Sequence, residues 1–285
     1  MVLVTGATGS NGTELTKLLA SRGVPVRAMV RSRDKARAVA SLAGVEAVLG
    51  DFDDAASVER ALRGVERAFL VTDSSERAEA RQRAFVDAAR RTGLKRVVKL
   101  SQFAADEGSP VRFLRYHAAV ERAIVESGIQ YTFLRPNLFM QGLLAFRASI
   151  AAEGRFFAAA GEARVSVVDV RDIAAAAAAA LTGDGHEGRT YDLTGPEALT
   201  HAEMAASLSG ALGRPVAFVD VPPEAMLKAL LGAGLPPWQA EGLVEDYAHY
   251  RRGEASAVGP GVRDATGEPP RSFSAFARDY APAFS

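Results

Sequence analysis

Val2-Leu3-Val4-Thr5-Gly6-Ala7-Thr8-Gly9-Ser10-Asn11-Gly12 decides the fold: an apolar run breaks into three glycines at three-residue spacing and then becomes helix-like. Gly6 permits a sharp turn, Gly9 lets the backbone approach a pyrophosphate, and Gly12 lets a helix pack closely on the strand. A helix opening near Ser10 would aim its free N–H groups and positive dipole end at the phosphates, with Thr8, Ser10 and Asn11 in the turn. Thr13 to Ser21 carries apolar residues at helical spacing and Val24 to Val30 reads as a second strand, which completes a strand-helix-strand unit. The second strand ends in Arg31-Ser32-Arg33, where an NAD-preferring turn usually carries an acid. Arginine there suits a 2'-phosphate, so the expected cofactor is NADPH, with NADH possible. The competing reading is a solvated basic helix start, in keeping with Lys35 and Arg37 nearby.

Working outward, strand and helix candidates keep alternating. Val45 to Leu49, Arg67 to Val71, Arg96 to Leu100 and Tyr131 to Leu134 read as strands, separated by helices near Ser57 to Leu62, Arg77 to Thr92 and Phe113 to Glu126. Such alternation predicts an α/β fold with a doubly wound, Rossmann-type parallel sheet. Arg189 to Leu193 would add a seventh strand, after an alanine-rich helix opening near Asp172. After Gly195 the pattern changes: Thr200-His201-Ala202-Glu203 is a capping box, Val216 to Val219 a short strand, and Glu224 to Leu231 and Trp238 to Arg251 are helical. This smaller, mostly helical part is expected over the carboxyl ends of the strands, where open α/β sheets bind substrates. The organisation expected is a dinucleotide-binding domain of residues 1–137 and 165–195, interleaved with a substrate-binding subdomain of residues 138–164 and 196–285. Gly253 to Pro270, rich in glycine and proline, reads as a surface loop before a last helix from Phe273 to Tyr280.

The 285 residues are 48% hydrophobic, enough for a substantial core. Lysine plus arginine equals aspartate plus glutamate at 34 each, leaving no basic excess for nucleic acid or an anionic membrane. Zero cysteines exclude disulfides and thiolate chemistry, and the four histidines lack the spacing of a metal site, so no metal is expected. The strand beginning at residue 2 and the cysteine usage together give the expectation of a cytoplasmic protein with no leader segment.

The chain resembles the NmrA-like group of atypical short-chain dehydrogenases, which includes NADPH-dependent quinone reductases and triphenylmethane reductase. The resemblance rests on Thr5 to Gly12, Val30-Arg31, Gly50-Asp51-Phe52-Asp53, His117-Ala118-Ala119-Val120-Glu121, Ser127 to Asn137 and Tyr191 to Pro196. It implies that Asp51 meets the adenine amino group with Phe52 beside the ring, although Asp51 would equally suit an acidic cap with Asp53 and Asp54. It also implies that Thr72 and Pro136 border the cofactor. Ser101 stands where the superfamily keeps a serine near the substrate, with Gln102 and Phe103 on the same wall. Asn137, Phe139 and Met140 resemble the loop that shapes the substrate cavity, the last two serving equally well as core.

The superfamily's usual proton donor is a tyrosine with a lysine four residues later on one helix face. Here Tyr116 is followed at the fourth position by Val120, and the lysine partner is missing altogether. His117 and Glu121 lie four apart instead, where the carboxylate would orient or charge the imidazole. In the related isoflavone-reductase branch the position of His117 would hold a lysine, which makes His117 a candidate proton donor; a packing histidine is the alternative. Ser101, Tyr116 and His117 are thus the catalytic candidates. The expected activity is NADPH-dependent hydride transfer to a planar conjugated small molecule such as a quinone or dye, an acceptor that needs no strong active-site acid. A non-catalytic NADP(H)-binding redox sensor is the alternative, and a sugar-nucleotide epimerase or dehydratase stands third. The chain is expected to be a monomer or homodimer.

Overall fold

A computed structural model describes residues 1–285. Along the first half, strands and helices alternate as β1 (Val2–Val4), α1 (Ser10–Ser21), β2 (Val26–Val30), α2 (Arg33–Ala40), β3 (Val45–Leu49), α3 (Ala55–Leu62), β4 (Arg67–Leu70), α4 (Ala78–Thr92), β5 (Arg96–Leu100), α5 (Arg112–Ser127) and β6 (Gln130–Pro136). A 3-10 turn over Met140–Phe146 leads to α6 (Arg147–Glu153) and β7 (Arg155–Ala158), before α7 (Val170–Thr182) and β8 (Arg189–Leu193). The rest is α8 (His201–Leu212), β9 (Ala217–Asp220), α9 (Pro223–Gly232), α10 (Pro237–Arg251), α11 (Gly261–Thr266) and α12 (Phe273–Asp279).

Seven strands form one parallel sheet in the order β3-β2-β1-β4-β5-β6-β8. The order reverses between β1 and β4, and a crevice opens there beyond the carboxyl ends of the strands. Alternation of side chains puts Val2 and Val4 into the core beneath α1 and α7, and Leu3 into the core beneath α3, α4 and α5. With both faces covered, the inner strands are apolar almost throughout. The alanine tract of α7 is buried along Ala174, Ala176, Ala177, Ala178 and Ala180, small side chains that let it lie close against α1.

β7 and β9 pair in parallel as a separate two-stranded sheet. Around it Met140, Ile150, Phe156, Met204, Phe273, Phe276 and Phe284 make a third core. Gly253 to Pro270 is not all surface loop: Val262 and Ala265 of α11 are buried in the core beneath α7. Their three-residue spacing makes one apolar helical face, and a Cβ at Gly261 would stand 2.2 Å from the Asp192 carbonyl oxygen. Asp172 sits in the first turn of α7, whereas the cap itself is Asp169, whose carboxylate accepts from the Arg171 amide. No helix is long and apolar enough to cross a membrane.

Candidate active site

A cleft of about 520 Å³ runs from the β1–α1 turn across the carboxyl ends of β4, β5 and β6 to α10. At one end Gly6 takes φ +57°, a left-handed conformation in which a Cβ would also press on Val71. A Cβ at Gly12 would stand 2.1 Å from the Gly6 carbonyl oxygen, so only glycine allows α1 to approach β1 this closely. α1 begins at Gly9 with no side-chain cap and no acid in its first turn. α4, α5, α6, α9, α10 and α11 likewise lack a side-chain cap, whereas α2, α3, α7, α8 and α12 each have a Ser, Asp or Thr side chain accepting from their first N–H groups. Uncapped donors opening on the cleft, with Thr8, Gly9, Ser10, Asn11 and Gly12 in its wall, form a cradle for an anion.

Beside it, Arg31 and Lys35 line the cleft with no carboxylate within ion-pair distance. Asp51 and Phe52 also line it; Asp51 Oδ1 accepts from the Asp53 amide at 2.9 Å, and the Phe52 ring packs at 6.1 Å from that of Phe85. The acidic residues divide their work. Asp54 caps α3, Asp53 pairs with Arg77 and Arg81, and Asp51 faces the cleft. Thr72, also in the wall, accepts from Gln82 Nε2 at 2.8 Å.

The far end is built by β5, α5, the chain after β6, and α10. Ser101, Gln102, Tyr116, His117, Pro136, Asn137 and Phe139 all line it. Ser101 Oγ is buried and has no hydrogen-bond partner. Asn137 is committed elsewhere, its amide donating to Ser166 Oγ and the Ala255 carbonyl, and it fixes the wall rather than offering a free polar group. Two expected wall residues fall outside the cleft. Met140 is buried in the core around β7, because the 3-10 turn rotates it inward, and Phe103 is half-buried away from the opening.

His117 differs most from expectation. Its partner is not Glu121: the Glu121 carboxylate is taken by Arg135 of β6 in a two-point ion pair at 3.0 and 2.5 Å. His117 Nδ1 instead meets Lys99 Nζ at 2.7 Å, a lysine supplied by β5 and not by the helix. Lys99 is wholly buried and its ammonium pKa is pushed down to about 7 by that burial, with Glu121 acting against the shift. Burial, with the charges of Lys99 and Arg135, keeps the imidazole well below its ordinary pKa and hence neutral. The Tyr116 ring lies against that of His117 with centres 4.1 Å apart and planes tilted by 31°, and its hydroxyl reaches Ser74 Oγ at 3.4 Å. Burial raises the phenol pKa further, which makes Tyr116 a poor acid.

α10 brings residues that no local motif announced. Asp246, Leu243 and Tyr250 line the cleft, and Gln102 Nε2 donates to both carboxylate oxygens of Asp246 at 3.1 Å. Burial pushes the Asp246 carboxyl up to about 7, so near neutral pH much of it is protonated. The helix is clamped to α5 by Glu245, which accepts from the Arg112 amide at 2.8 Å and from its guanidinium at 2.6 Å. Gly242 is where α10 crosses Phe113; a Cβ there would stand 2.4 Å from the ring.

The model of the NmrA-like family matches residues 1–259. The chain belongs to the NmrA-like family. Among its relatives, the NAD(P)H azoreductase of Xenophilus azovorans is 38% identical over 284 residues, covering 100% of this chain and 99% of the relative. The (4-alkanoyl-5-oxo-2,5-dihydrofuran-3-yl)methyl phosphate reductase of Streptomyces griseus is 42% identical over 287 residues, covering 100% and 99%. Among solved structures, the NADPH-dependent quinone oxidoreductase QOR2 of Escherichia coli in complex with NADPH superposes with a TM-score of 0.87 at 29% identity, covering 98% of this chain and 99% of that one. This NmrA-like chain therefore shares its whole length, and not only a nucleotide-binding half, with reductases.

Proposed function

We propose that this protein is an NADPH-dependent reductase that delivers hydride to a planar, conjugated small molecule such as a quinone or an azo or related dye. The observation that carries the reading is a single cleft that joins an uncapped glycine turn to an aromatic-walled end, in a chain whose full-length relatives are an azoreductase and a quinone oxidoreductase. The turn suits the cofactor on structural grounds, since glycine at position 12 lets α1 start close against β1 with the uncapped N–H groups of its first turn beside the cleft. Gly9, Ser10, Asn11 and Gly12 would hold the pyrophosphate, Arg31 and Lys35 the 2'-phosphate, and Asp51 and Phe52 the adenine. When bound, NADPH supplies the hydride.

The protein's own residues then have three tasks. Phe113, Phe139, Leu243 and Tyr250 give flat apolar surface for a planar acceptor and keep water out. Gln102 and Asp246 offer polar edges at the α10 wall. His117 reaches the same space as a neutral imidazole whose Nδ1 is already engaged, so Nε2–H is the group left to donate to the acceptor. A delocalised acceptor asks for no more than this, which is why the absent tyrosine-lysine pair does not preclude reduction.

Cofactor oxidation across a panel of quinones, azo dyes and triphenylmethane dyes tests the proposal. Acceptor-dependent loss of NADPH is expected, with turnover in the ordinary enzyme range of about 1 to 1,000 per second for a good acceptor. Tight NADPH binding with no loss of NADPH on any acceptor would refute the catalytic reading and leave a dinucleotide sensor.

A further inference from the structure

We propose that Lys99 is a buried proton reservoir behind His117: it fixes the imidazole in its Nε2–H form and replaces the proton that His117 Nε2 passes to the reduced acceptor. This rests on the reductase reading above and adds to it the source of the proton.

The geometry sets the direction. Lys99 Nζ has donors and no acceptor when charged, so its 2.7 Å contact with His117 makes Nδ1 the acceptor and leaves the ring hydrogen on Nε2. Nζ also donates to the Leu100 carbonyl at 3.2 Å, and Lys99 is wholly shielded from solvent, so proton exchange with the cleft runs through the imidazole. Ionisable neighbours come from three further elements. Glu121 and His117 face Lys99 from α5 and Arg135 from β6, while Asp192 of β8 stands beside Arg135. Glu121 is saturated by the Arg135 guanidinium, so it biases Lys99 through its field and does not take its proton. Burial, opposed by Glu121 and aided by Arg135, brings the Lys99 pKa down to about 7, where an amine can give up and regain a proton at working pH.

The step balances. A carbonyl acceptor gains a hydride from the reduced nicotinamide at one end of its conjugated system and a proton from His117 Nε2 at its oxygen. The Lys99 ammonium gives a proton to His117 Nδ1 and becomes the amine, and the cofactor ends as NADP⁺. After product leaves, a solvent proton enters at Nε2 and the Nδ1 proton returns to Lys99. Lys99 touches no substrate in this scheme and is a positioning and proton-supplying residue.

Two readouts test it, one of which needs no turnover. Nitrogen-15 NMR of the NADPH-bound protein should show His117 as the Nε2–H tautomer in the wild type and as a mixture in Lys99→Met, a substitution of similar length that removes the buried amine. The pH profile of turnover in the wild type should fall on the alkaline side of about 7. Lys99→Met should lower turnover about 100-fold and remove that fall. Glu121→Gln, which takes away the charge that raises the Lys99 pKa, should move the fall to lower pH. An unchanged His117 tautomer in Lys99→Met, or profiles that superimpose on the wild type, would overturn the relay while leaving the reductase intact. Absence of turnover in the wild type with every acceptor would overturn the reductase reading and the relay with it.

Discussion

Gly12→Ala is expected to raise the NADPH dissociation constant at least 100-fold, about 2.7 kcal/mol, and to lower the melting temperature by several degrees. The added Cβ would stand 2.1 Å from the Gly6 carbonyl oxygen, 2.7 Å from its carbon and 2.8 Å from the Ala7 Cα. All three are backbone atoms, so no rotamer change relieves the clash. α1 has to move away from β1, which spoils the direction of its first N–H groups together with its packing on α7. Isothermal titration with NADPH and a thermal melt check both halves. Gly210→Ala is the matching control: Gly210 lies inside α8 with open space where its Cβ would stand, so that change should leave binding untouched and stabilise by up to about 1 kcal/mol. Equal effects of the two substitutions would mean that the close approach at Gly12 has no special role.

Arg31→Asp is expected to weaken NADPH binding by one to two orders of magnitude, roughly 1.4 to 2.8 kcal/mol, while NADH binding changes little. Arg31 ends β2 at the cleft, pairs with no carboxylate, and has Lys35 of α2 beside it as a second cation. A guanidinium can grip a phosphate at two points, whereas an aspartate in its place repels the phosphate and offers itself to ribose hydroxyls. Lys35 should soften the loss, so the double change Arg31→Asp with Lys35→Ala should exceed the single one. Titrations with both cofactors decide the matter, and parallel weakening of NADPH and NADH would remove Arg31 from phosphate recognition.

The parts of this molecule that were legible in its sequence are those written in local spacing. The glycine turn, the alternation of strands and helices, the capping box at Thr200 and the basic end of β2 each depend on residues within a few positions of one another. What was not legible depends on residues far apart. Lys99 is the fourth of the five residues of β5, where a polar residue in a strand suggests a solvent-facing position, yet this sheet is covered on both faces and the lysine is enclosed. His117 and Glu121 do have the helical spacing of a pair, but Arg135 offers Glu121 a two-point ion pair that a neutral imidazole cannot match. Asp246 meets Gln102 across 144 positions of sequence, and nothing near either residue signals the other. Met140, which the resemblance places on the cavity loop with the core as the equal alternative, takes the core position, because the 3-10 turn after β6 turns it inward.

These losses share a cause. The far end of the cleft is assembled between the main sheet and α10, and α10 is set in place by the Glu245–Arg112 clamp and the close crossing at Gly242, both tertiary features. The glycine turn and Arg31 belong to one strand-helix-strand unit and read from the sequence; the far end of the cleft is assembled from distant parts of the fold.

In the proposed reaction this cleft passes hydride directly from NADPH to the acceptor. A single turnover with NADPH deuterated at the transferred position, using a triphenylmethane dye whose accepting carbon keeps what it receives, follows that hydride. Direct transfer requires that dye bleaching and NADPH oxidation proceed in one phase, that deuteration slows this phase at least about twofold, and that the deuterium appears on the product carbon. Bleaching that leaves the product carbon without deuterium, or bound NADPH that stays reduced with every acceptor, would contradict it.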